Sequence, residues 1–132
     1  MEKTPLHFLG FIYVGFAELT DNEFSDEEHE KVVELVLDWK YNEKEIHKDE
    51  FSIILSDIMT WYEGIKEKKL REKMFFEAVV YVQQQYWFTP QVAKEILDNL
   101  VEVMKADSIS KTSEKDMLKK LALIWSVDYN VE

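Results

Sequence analysis

Asp21–Trp39 reads DNEFSDEEHEKVVELVLDW, and it recurs as Asp107–Trp125, DSISKTSEKDMLKKLALIW. Both copies hold an Asp, a Glu after six further residues and a Trp after ten more. At the same offset Val32 aligns with Leu118, Leu35 with Leu121, Val36 with Ala122 and Leu37 with Leu123. Upstream, Phe11, Val14 and Ala17 align with Leu97, Leu100 and Val103. Acids are abundant in this chain, but tryptophan is rare, with four in 132 residues. The repeated Trp is therefore the more informative match. Each copy reads as helix, acidic turn, helix, and two such hairpins can bury their apolar stripes against one another.

Local signals place the helices. Ser25 opens one of them, with Glu28 three positions on in the capping-box pattern and Asp26, Glu27 and Glu28 in the first turn, where the helix dipole favours anions. Its inner face is expected to be Val32, Val33, Leu35, Val36, Leu37 and Trp39. Before it, Pro5–Leu19 predicts a helix with Thr4 as N-cap, apolar on every side and so buried. Gly10 and Gly15 there imply that another backbone packs closely. Asp49–Tyr62 predicts a third helix with Gly64 as its stop, and Ile65–Trp87 a long fourth one. The fourth begins basic (Lys66, Lys68, Lys69, Arg71, Lys73), against the helix dipole, and ends apolar and aromatic. Thr89 and Pro90 start a fifth, and a sixth runs from about Thr112 to Val127. The expectation is an all-α fold, one domain over 1–132, built as a bundle of about six to seven helices. An internal pseudo-two-fold would relate repeat copies at about 6–39 and 92–125, with central helices at about 48–88.

Composition narrows the function classes. At 46% hydrophobic the chain can bury a core and is no disordered acidic tail. Without Cys it has no disulfide, thiolate metal site or Cys nucleophile, which fits a reducing cytoplasm. A net charge of −11 repels a phosphate backbone, so no nucleic-acid partner is expected. No apolar run reaches the length of a transmembrane segment, and Leu6–Ala17 lacks the flanks of a signal peptide.

The two acidic turns, Thr20-Asp21-Asn22-Glu23-Phe24-Ser25-Asp26-Glu27-Glu28 and Ala106-Asp107-Ser108-Ile109-Ser110-Lys111-Thr112-Ser113-Glu114, resemble the A-D-G-x-h-x-x-x-E motif of the TerB-like family. That family comprises tellurite-resistance proteins and related bacterial helical domains. Asn22 and Ser108 stand where the family has Gly, and Ile109 comes one place early. The resemblance implies an all-α fold with internal pseudo-symmetry, a link to stress responses, acidic clusters proposed to bind metal, and no enzymatic activity.

Two readings of the acidic turns stand side by side. In one, Asp21, Glu23, Asp26 and Glu28, with Asp107 and Glu114, hold a divalent cation such as Ca²⁺ or Mg²⁺ through oxygen ligands. In the other they close turns and cap helices. Neither turn has EF-hand spacing. Asp26 and His29 share a helix face as a candidate ligand pair, while His7 and His47 stand alone. Trp61, Tyr62, Tyr86, Trp87 and Phe88 are candidate interface residues for a protein partner or a homodimer. There is no nucleophile elbow, P-loop, G-x-G-x-x-G or H-E-x-x-H. The expected protein is thus a non-enzymatic interaction module, with cation binding as the alternative.

Overall fold

Helix α1 (Pro5–Asp21) is apolar all round, and every other helix touches it. The computed structural model describes residues 2–21, 24–42, 44–106 and 112–130, residue 21 by its backbone alone. Around α1 stand α2 (Asp26–Leu37), α3 (Lys48–Gly64), α4 (Lys68–Gln83), α5 (Pro90–Lys105) and α6 (Thr112–Ile124). Among the described residues there is no strand, so the fold is all-α as expected. None of the helices is long and apolar enough to cross a membrane.

All packing converges on α1. It packs most extensively on α4 and α3 and also on α2, α5 and α6, while α5 packs on α2 and α6, and α2 on α3. The positions aligned between the two sequence copies share their burial. Val32 and Leu118, Leu35 and Leu121, Val36 and Ala122, and Trp39 and Trp125 are all buried, as are Phe11 and Leu97, Val14 and Leu100, and Ala17 and Val103. Leu37 and Leu123 are both exposed, which corrects the expectation that Leu37 lies on the inner face. Val36 and Trp39 already fill that face, and Leu37 points away from it.

The glycines of α1 are explained by side chains rather than by a neighbouring backbone. A Cβ on Gly10 would strike Ile58 of α3, and one on Gly15 would meet the Phe75 ring of α4 at 2.7 Å. At each glycine the neighbouring helix presses on α1 through one large side chain.

The ends follow cap chemistry. Ser25 Oγ accepts the Glu28 N–H at 3.1 Å, and Glu28 Oε1 accepts the Ser25 N–H at 2.9 Å, completing the capping box. Thr89 Oγ1 accepts the Val92 N–H at 3.2 Å. At α1, His7 takes the part that Glu plays in α2, its Nδ1 accepting the Thr4 N–H at 3.0 Å. The proton of this neutral ring therefore sits on Nε2, 3.3 Å from Asp57 Oδ2. The fourth helix is shorter than its sequence suggests, because Glu67 precedes its first turn and Gln84 ends it ahead of a turned segment through Trp87.

Candidate functional site

The acidic turns were the leading candidates, and Glu28 and Glu114 are the innermost of the described acids. Glu28 and Glu114 are both 0% exposed, each at the third position of its helix. Glu28 uses one oxygen to cap α2. The start of α6 is tied to the end of α1, since Ser113 Oγ donates to the Thr20 carbonyl at 2.7 Å. Asp26 is exposed at the first position of α2. The Asp21 side chain, Glu23 and Asp107 lie outside the described residues. Among the described residues no three His, Asp or Glu side chains stand close enough to hold a metal ion. His29 is exposed with its ring 5.6 Å edge-on to Phe24, and His47 precedes α3 at the surface.

The expected aromatic interface is corrected by burial. Tyr62 is 1% exposed and Trp87 is 8% exposed, while Tyr86 projects at 77%. Tyr62 lies on the inner face of α3 in step with Ile54 and Ile58. Trp61 is half-buried against Phe8 and Phe11, at ring distances of 5.2 and 4.4 Å. The turn after α4 folds Trp87 and Phe88 inward, where they join the two repeated tryptophans. Trp39 meets Trp87 at 5.4 Å, and Phe88 meets Trp125 at 5.3 Å. Trp125 also donates its indole N–H to the Val79 carbonyl at 3.1 Å. Four of the five candidates are therefore packing groups.

The basic run is divided between inside and outside. Arg71 pairs with Glu18 of α1, donates to the Ile65 carbonyl and lays its guanidinium over the Tyr62 ring. Burial, with Glu18 adding to it, pushes the Tyr62 phenol well above its usual value of 10.0. Tyr13 is raised in the same sense by burial and, more weakly, by Glu102, against the Asn99 amide that donates to it at 2.9 Å. Lys66, Lys69 and Lys73 face solvent.

One concavity carries no signal that the sequence reading used. It is an open groove of about 680 Å³ along the outside of α4, lined by Phe8, Lys73, Met74, Phe76, Glu77, Val80, Tyr81 and Gln84. Phe8 of α1 stacks on Tyr81 at 3.8 Å and forms its wall. Val80 stays about half exposed beside these rings, at 44%, and Leu70, further along the same helix, is 50% exposed. A signal was present in the Phe75-Phe76 pair, because adjacent helical residues point about 100° apart and only one can face the core. Phe75 does so, and Phe76 is left at the groove. A smaller cleft of about 380 Å³ lies between the start of α1 and the segment before α3, with Tyr41, Ile46 and Trp87 among its walls.

In comparisons with known proteins, no family model, no curated protein and no solved structure matches the chain.

Proposed function

We propose that the chain is a non-catalytic helical interaction module whose binding face is the groove along α4. The observation that carries this reading is the groove itself. Its lining is largely aromatic and aliphatic, and half-exposed Val80 lies within it, with Leu70 further along the same helix. Apolar surface left open on a helix whose opposite face is fully buried favours a macromolecular partner. The resemblance to the TerB-like family supports a module of this kind. So does the equal burial of aligned positions in the two sequence copies, which fits a duplicated hairpin.

The test is photo-crosslinking in cells from a reactive residue placed at Val80, with exposed Glu30 on α2 as the control position. Discrete adducts from Val80 alone, of whatever mass, support the module. No adduct from Val80, or the same adducts from both positions, removes it.

A second reading, a divalent cation held by the acidic turns, is favoured by one observation. Glu28 and Glu114, aligned between the copies, are both completely buried. Binding of Ca²⁺, Mg²⁺ or Mn²⁺ to the native state would raise the melting temperature, and the Glu28→Gln/Glu114→Gln variant would lose that rise. An unchanged melting temperature with all three ions ends this reading.

A further inference from the structure

We propose that the partner at this groove is a second copy of the chain, with two α4 helices packed antiparallel about a two-fold axis level with Phe75. The proposal rests on the interaction-module reading and names its occupant.

The first observation is a self-complementary stripe. Leu70, Lys73, Glu77, Val80 and Gln84 recur at alternating steps of three and four and are all exposed. This is the spacing of a seam between two helices. Phe75, Ala78, Val79 and Val82, on the other side of α4, are buried against the rest of the fold. In an isologous pair, each residue of one copy meets the residue equally far beyond the axis in the other. With the axis at Phe75, Leu70 meets Val80 of the second copy, Lys73 meets Glu77, and Met74 meets Phe76. Apolar groups face apolar groups and the charges pair twice. A parallel pairing would instead set Lys73 against Lys73 and Glu77 against Glu77, so charge selects the antiparallel arrangement.

The second observation is the basic start of α4. Lys69 is exposed in the first turn of α4 and Lys66 just before it, where the dipole of that helix disfavours cations. Antiparallel packing brings them to the C-terminal end of the second copy's α4, where the dipole favours them. Lys69 then lies level with Tyr81 of that copy. The local positive charge also eases the approach of two chains that each carry −11.

The third is the shape of the groove. Met74, Phe76, Tyr81 and Phe8 flank the stripe and leave about 680 Å³ open, into which Leu70 of the second copy projects opposite Val80.

Sedimentation equilibrium of the full chain across a concentration series up to about 1 mM tests this directly. The wild type is expected to be a reversible dimer. K73E sets Glu opposite Glu77, and E77K sets Lys opposite Lys73, so each variant alone should weaken association at least about tenfold. Mixing the two single variants in equal amounts restores both charge pairs, and the mixture should associate as the wild type does. Both side chains changed, Lys73 and Glu77, are exposed, and unaltered circular dichroism confirms that folding is intact. A wild type monomeric over the whole range overturns the proposal, as does a dimer indifferent to K73E or a mixture that stays monomeric. Crosslinks from Val80 to a different protein would preserve the module reading while overturning this one.

Discussion

The Phe75 ring of α4 lies over Gly15 of α1 so closely that a Cβ at position 15 would meet its Cδ2 at 2.7 Å. In an exposed helix, Gly→Ala would stabilise by about 1 kcal/mol. Here the ring is fully buried and has little room to move. Overpacking should win, so Gly15→Ala is expected to destabilise by about 1–3 kcal/mol in urea unfolding. A more stable variant would mean that α1 and α4 are not in this contact. Gly10 faces the end of the more flexible Ile58 side chain, so Gly10→Ala should cost less.

Glu28 joins a capping role to complete burial. Glu28→Ala loses the reciprocal cap and leaves space in the core, and a loss of about 2 kcal/mol or more is expected. Glu30, exposed on the same helix, should tolerate Ala within about 0.5 kcal/mol. Equal effects at both positions in chemical denaturation would contradict the buried placement.

Ser126 has φ of +54°, the left-handed region. The Val127 N–H reaches the Ala122 carbonyl at 3.0 Å and the Ser126 N–H reaches the Leu123 carbonyl at 3.1 Å. This is a Schellman end to α6 with Ser in the place usually held by Gly. Ser126→Gly relieves the Cβ clash and should stabilise by about 0.5–1 kcal/mol, raising the melting temperature by a few degrees. Ser126→Val should lower it.

Tyr13 supplies a pH dependence. Its folded-state phenol is raised above 10.0, chiefly by burial. Near and above pH 10 the unfolded chain sheds this proton while the folded chain keeps it. Stability is then complete below pH 10 and falls above it, by up to about 1.4 kcal/mol per pH unit for this one group. Tyr13→Phe should be less stable at neutral pH, since Asn99 loses its partner, but its stability should fall less steeply between about pH 9 and about pH 11. Parallel slopes for the two proteins would show that Tyr13 titrates as it does in water.

Elements with short-range rules were legible in the chain. Ser25 with Glu28, and Thr89 with Pro90, specify helix starts through contacts three residues apart. The all-round apolar character of Leu6–Ala17 announces a central helix, because such a surface has nowhere stable to lie but inside. The glutamates and tryptophans of the two sequence copies are buried at matching positions.

What the sequence could not decide was which apolar residues are left outside. Trp87 and Phe88 look like interface anchors in the chain, yet they fill the space between Trp39 and Trp125. Phe76 and Val80 look like core, yet they line a groove. Side-chain chemistry is the same in both cases. The difference is which face of α4 meets α1, and the close fit of Phe75 on Gly15 sets that only once the helices have docked. The sequence by itself determined the helices, their caps and the central place of α1, because these depend on neighbours along the chain. The tertiary structure alone decided the exposed face of α4, because burial depends on residues distant in sequence.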